Sequence, residues 1–232
     1  MNMQSRAEAP EPQTLGGIAL DVLRADILQC RLRPNTRLRL EELRERYRMS
    51  ISPLREALMR LQSEGLVTLE ENKGFRVSPV SPDHLMDLTE TRIDIETVML
   101  RRAIECGSVE YEADILSAFH RLSRQKKIDP TSPGVISSVW SREHRAFHTS
   151  LVAACASNLL MSFQNSLFDQ AERYVALSIS YIAKPRDDLG EHEALMKAVL
   201  AGNVELACGL CASHIRRTTE KVLAATKALT VI

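Results

Sequence analysis

Four of the six histidines in this 232-residue chain stand where a single ion could reach them. His144 and His148 are four residues apart, which on a helix sets both imidazoles on one face. His192 and His214 fall one each on the next two amphipathic stretches, and antiparallel helices of a bundle can turn both toward the first pair. Neutral imidazole ligates divalent transition metals. The same four residues could instead line a pocket or core that holds no ion. Glu143 adjoins His144 in sequence but lies about 100° around the helix, so it is poorly placed to share the ion. Arg92 and Arg173 occupy helices expected to line the same cavity, and a guanidinium matches a carboxylate bidentately. Each could equally serve an internal ion pair, Arg92 with Glu96 for example. Tyr174 and Asn158 complete the candidate contacts for a ligand in that cavity, although Asn158 also fits a helix cap.

The elements that must position these groups follow from the apolar pattern. Residues 1–13 are polar and Pro-containing and read as a disordered tail. A first helix begins near Thr14, with Ile18, Val22, Leu23 and Ile27 on one face, and stops before Arg33-Pro34-Asn35. Leu40, Leu43 and Tyr47 mark a short second helix. Ser52 can N-cap a third, with Pro53 at its first position and Gly65 after its end. Two β-prone runs, 66–69 and 75–77, flank Glu71-Asn72-Lys73-Gly74 as a hairpin. Helix, helix-turn-helix and hairpin in this order make a winged helix-turn-helix, in which the third helix can enter the major groove. From Ser81-Pro82 onward the pattern is helical: 82–106, 109–127, 134–156, 159–183, 188–201 and 203–226. The punctuation includes 129–134, Pro185 and Gly202-Asn203. The chain therefore reads as mainly α, a winged helix-turn-helix over 14–80 joined to an antiparallel helical bundle over 81–232, with no internal repeat.

Composition agrees. Apolar residues make up 44% of the chain and aromatics only 4%, enough for cores and biased toward helix. The net charge is zero, but it is unevenly spread. Residues 14–80 hold twelve Lys/Arg against nine Asp/Glu, and 31–60 hold nine Arg against four Glu. That local basic cluster fits a nucleic-acid face. The five cysteines are odd in number and show no disulfide-like spacing. Cys208 and Cys211 form C-x-x-C inside a helical pattern and read as buried small hydrophobes. No apolar run is long enough to span a bilayer and no signal peptide is evident, so a cytoplasmic, nucleoid-associated protein is expected.

The run Arg31-Leu-Arg-Pro-Asn-Thr-Arg-Leu, then Leu43-Arg-Glu-Arg-Tyr, then Ser52-Pro-Leu-Arg-Glu-Ala-Leu with Glu64-Gly-Leu-Val downstream, resembles the GntR family of bacterial transcription regulators. The second half resembles the FadR branch with its helical FCD domain. The marks are Arg92-x-x-x-Glu96, Phe147-His148 with Asn158 after it, Glu191-His192 with Ala198, and His214; the Gly74-Phe-Arg-Val wing is similar to the CsiR-type subgroup. The resemblance implies a homodimer that binds a pseudo-palindromic double-stranded operator, usually as a repressor, and answers to a small carboxylate. It places Arg55 on DNA. Arg37, Arg44, Arg48, Ser50, Ser52, Pro53, Lys73 and Gly74 complete the expected DNA face. The family usually has Arg where this chain has Ile51, so one contact is absent. Metal-binding FCD members carry an Asp four residues before the Phe-His histidine, then that histidine and two later ones. Here His148, His192 and His214 match, and His144 replaces the Asp. Four neutral ligands leave the full dication uncompensated and favour zinc, with nickel or copper next, over oxygen-preferring manganese. Two other readings are a metal-dependent enzyme built on the histidine cluster and an effector-independent DNA-binding protein. Against the enzyme, no base, nucleophile or oxyanion donor accompanies the cluster at a readable spacing.

Overall fold

The computed structural model describes residues 14–132, 134–179 and 188–227, and the expected tail, Pro185 and the end of the 159–183 stretch lie outside them. Thr14 accepts a hydrogen bond from the Gly17 N–H and starts helix α1 (Leu15–Leu28). A two-residue strand β1 (Arg37–Leu38) precedes α2 (Leu40–Tyr47) and α3 (Ile51–Ser63). Strands β2 (Val67–Glu70) and β3 (Gly74–Val77) then form an antiparallel hairpin, and β1 adds to its far edge in the order β1-β3-β2. Sequence periodicity could not reveal β1, because two residues carry no alternation. It is held because Leu38 is buried opposite Phe75. Leu23, Ile27, Leu54, Leu58, Leu61 and Val77 are fully buried in this half's core.

One expectation is corrected at the start of α3. The helix begins at Ile51, with Ser50 in the cap position and no side-chain cap bond, so Ser52 is not the cap and Pro53 is the third helical residue. Pro is tolerated there because the first four N–H groups of a helix have no intrahelical acceptor to lose. Beyond the helix Gly65 adopts φ +77°, a left-handed turn that turns the chain into β2. Asp26, buried in α1, accepts hydrogen bonds from Arg31, Arg46 and Tyr47, tying α1 to α2.

Among its described residues the second half carries α4 (Pro82–Cys106), α5 (Val109–Ser123), α6 (Ser138–Val152), a 3-10 turn (Ala153–Cys155), α7 (Asn158–Ser178), α8 (Asp188–Leu200) and α9 (Val204–Lys227), with a non-helical connection between α5 and α6. Ser81, Ser108, Ser137 and Ser157 cap α4, α5, α6 and α7 with their side chains. Ser157, not Asn158, thus caps α7. Helix α5 ends at Ser123, short of its expected end, and beyond it Ser137 N–H donates to the Lys127 carbonyl and Asp129 N–H to that of Val135. The core runs through Met99, Leu100, Ile115, Phe147, Leu195 and Ile215, with Cys208 and Cys211 buried beside them as free thiols. No helix among the described residues is long and apolar enough to cross a membrane.

Helix α7 joins the halves. Its Asp169 accepts from Arg24 of α1, Ser166 and Gln170 donate to the Glu64 carbonyl at the end of α3, and Arg173 donates to the Ser78 carbonyl.

Candidate metal centre and nucleic-acid interface

The four histidines converge. Helix α6 projects His144 and His148 from successive turns, α8 brings His192 and α9 brings His214, so that one donor atom from each lies within 4.8 Å of every other. His148 Nε2 stands 3.2 Å from both His144 Nε2 and His192 Nε2. Four ligands at about 2.05 Å around one ion would be spaced about 3.3 Å apart, close to the two 3.2 Å separations around His148. Burial holds His144 and His148 well below the usual imidazole pKa, and the neighbouring imidazoles push the same way. Both are therefore neutral at physiological pH, the state that can donate a lone pair.

Supporting contacts orient the rings. Glu191, one residue before His192, lies 3.0 Å from His214 Nδ1; a proton held there leaves Nε2 of His214 to face the cluster. Arg217 steadies Glu191 from the next turn of α9. Trp140 stacks on His144 with centroids 4.4 Å apart, and Phe168 of α7 packs against both His144 and His148. Glu143 turns away to Arg121 and Arg142, as its place on the helix demands. The donor set fits a tetrahedral divalent ion of the zinc or nickel kind. Such an ion would supply Lewis acidity, and a carboxylate oxygen could join it by expanding the shell beyond the four imidazoles.

A cavity of about 910 Å³ reaches the cluster, and His144, His148, His214 and Arg92 line it. Arg92 pairs with Glu96 at 2.8 Å and lies 5.3 Å from the centre of the Phe168 ring. Among the four expected effector contacts, Arg92 alone lines this cavity. Arg173 is buried against the Ser78 carbonyl at the junction of the halves. Tyr174 bonds Ser81 and His84 at the start of α4. Asn158 is the first residue of α7. Glu191, Trp140 and Phe168 were not anticipated. Trp140 stands i, i+4 to His144 on α6, a spacing that could have found it, whereas Glu191 and Phe168 lie on other helices than the histidines they face and carry no local signal.

On the other half, Arg37, Arg44, Arg48, Ser50, Ser52, Arg55, Lys73 and Gly74 are all exposed and Pro53 is half-buried. Arg55 sits one turn into α3 while Leu54 and Leu58 anchor the helix inward. Arg48 ends α2 with φ +52°, and Arg44 pairs with Glu41. Lys73 and Gly74 (φ +79°) form the tip of the hairpin, where no atom would crowd a Cβ at Gly74. Helix and hairpin tip together offer cations and open backbone to a duplex.

Comparison with known proteins agrees with both halves. Residues 19–77 match the family described as bacterial regulatory proteins, gntR family, and 87–217 match the FCD domain. The chain is 35% identical over 200 residues to the HTH-type transcriptional repressor GlaR of Escherichia coli K12, covering 83% of this chain and 89% of that protein. It is 36% identical over 200 residues to the uncharacterized HTH-type transcriptional regulator BphR of Paraburkholderia xenovorans, covering 86% and 82%. Its fold is that of E. coli McbR/YncC, with a TM-score of 0.76 at 20% identity over 91% of this chain and 98% of that one.

Proposed function

The chain belongs to the GntR family of bacterial regulatory proteins and carries the FCD domain of its helical branch, and from that premise we propose that a metal-bound carboxylate sets its grip on DNA. It is a DNA-binding transcription regulator and not an enzyme. The proposed mode is repression in the bacterial cytoplasm, in keeping with the relative named a repressor. The observation that carries the effector reading is the 3.2 Å spacing of His148 Nε2 from His144 and His192 at the wall of a cavity that Arg92 also lines.

In this reading His144, His148, His192 and His214 hold the ion, Glu191 keeps His214 oriented, and Arg92 adds charge for the carboxylate. Arg55 reads the major groove, Arg37, Arg44 and Arg48 hold phosphates, Ser50, Ser52 and Pro53 shape the approach of α3, and Lys73 and Gly74 meet the neighbouring backbone. A homodimer follows because one small winged domain makes too few contacts for tight binding alone. The test is a mobility-shift assay on DNA upstream of the protein's own gene, with and without zinc and a panel of carboxylates. Loss of the shifted band with a metal and acid together is expected. Indifference to every acid in metal-loaded protein would leave a DNA-binding protein without this effector.

A further inference from the structure

The cavity beside the histidines is shared between the two halves of the chain. Its wall takes in Arg24, Ala25 and Leu28 of α1, in the DNA-binding half, as well as the cluster and Arg92. Much of the remaining lining is apolar: Val80, Ile136, Phe168, Ala171, Val175 and Ile179. At about 910 Å³ it approaches the upper end of the range, about 300–1,000 Å³, that holds drug-sized ligands. An acid of two or three carbons would occupy a small part of it and leave the apolar wall wet.

We propose that the effector is a carboxylate with an extended apolar body, which places its acid at the histidines and Arg92 and lays its body against α1, so that the ligand itself bridges the two halves. This rests on the carboxylate-at-metal reading above. Arg24 gives the bridge its consequence. It lines the cavity and at the same time bonds Glu64 at the end of α3 and Asp169 of α7. A body seated beside Ala25 and Leu28 presses on the same turn of α1 from which Arg24 reaches the recognition helix.

Trp140 is the single tryptophan and lines the cavity, so its emission reports occupancy. Zinc-loaded full-length protein is titrated with straight-chain monocarboxylates from acetate to octanoate, following Trp140 and, in parallel, the anisotropy of labelled upstream DNA. The expected affinity rises roughly threefold to fourfold per added methylene as apolar surface is buried. Only the longer acids should alter DNA affinity. Ala25→Phe, which fills the α1 wall, should level the series at a shorter chain while acetate binds as before. Acids that bind equally at every length, or acetate that shifts DNA as strongly as octanoate, would overturn the bridge and leave the metal-carboxylate site standing. Failure of every acid to bind would sink the carboxylate reading itself and the bridge with it. The length series uses the natural chain, so a poorly folded variant cannot mask either result.

Discussion

Arg24 and Asp169, 145 residues apart in the chain, meet at 2.6 Å between the DNA-binding half and the helical half. Asp169 also takes Arg145, the residue after His144, while Arg24 also takes Glu64 at the end of α3. One carboxylate thus stands between the histidine-bearing helix and the recognition helix. Both halves of the ion network lie at least partly buried, with Asp169 only 5% exposed at its side chain. Asp169→Ala leaves two guanidinium groups short of a partner, and a loss of about 1–3 kcal/mol is expected. The urea midpoint checks the loss. The same variant should bind zinc as the parent does and respond less to effector in the mobility-shift assay; an undiminished response would show that this ion network carries none of the coupling.

Arg55→Ala should weaken binding to the upstream DNA by about 1–3 kcal/mol without altering the thermal midpoint, since the residue is exposed. Anisotropy on labelled DNA measures it. Equal affinity in the folded variant would take Arg55 off the duplex.

His148→Ala should abolish stoichiometric zinc, because His148 is the ring that touches both His144 and His192. Elemental analysis of untagged protein gives the content. Titrating zinc into the parent should change Trp140 emission, as Trp140 stacks directly on His144, and should raise the melting temperature. A parent that binds no metal at neutral pH would reduce the cluster to a histidine-lined pocket.

Glu191→Gln keeps the size of the side chain and removes the charge that orients His214. A loss of about 10–100-fold in zinc affinity is expected, with little change in DNA binding by metal-free protein. Competition against a chelating dye resolves this range. Unchanged affinity would mean that His214 is oriented without Glu191.

Acid should destabilise the metal-free protein through His144 and His148. Their folded-state pKa values are depressed by burial and by the neighbouring imidazoles, with Lys127 acting on His144 and Arg92 on His148. In the unfolded chain they take up protons near the ordinary value of 6.5, whereas in the fold they stay neutral. The unfolded state therefore binds more protons below that pH, and stability falls as pH drops through about 6.5 toward the folded values. Melting temperatures from pH 8 to 5 check it. Replacing both histidines by glutamine should flatten that limb of the curve.

Local pattern carried most of the architecture. The i, i+4 spacing of His144 and His148, the apolar stripe of Leu54, Leu58 and Leu61, and the Glu71–Gly74 turn are statements about neighbours within a few residues, and neighbours determine period, capping and turn type. Helix α4 accordingly runs over the residues its Ser81-Pro82 start and Gly107 end imply. Where pattern was silent, a contact from elsewhere intervened: Leu38 opposite Phe75 holds β1.

The sequence by itself determined which residues could ligate an ion and which face of α3 is left exposed, because residue chemistry and helical phase are local properties. Only the tertiary structure decided that Arg92 lines the cavity while Arg173 is spent on the Ser78 carbonyl, since both are arginines on amphipathic helices until α7 is docked. It likewise decided that Glu191 faces His214, that Phe168 packs on His144, and that Ala25 and Leu28 of α1 wall the same cavity. These relations depend on the relative rotation and depth of packed helices, and no spacing along the chain encodes those quantities.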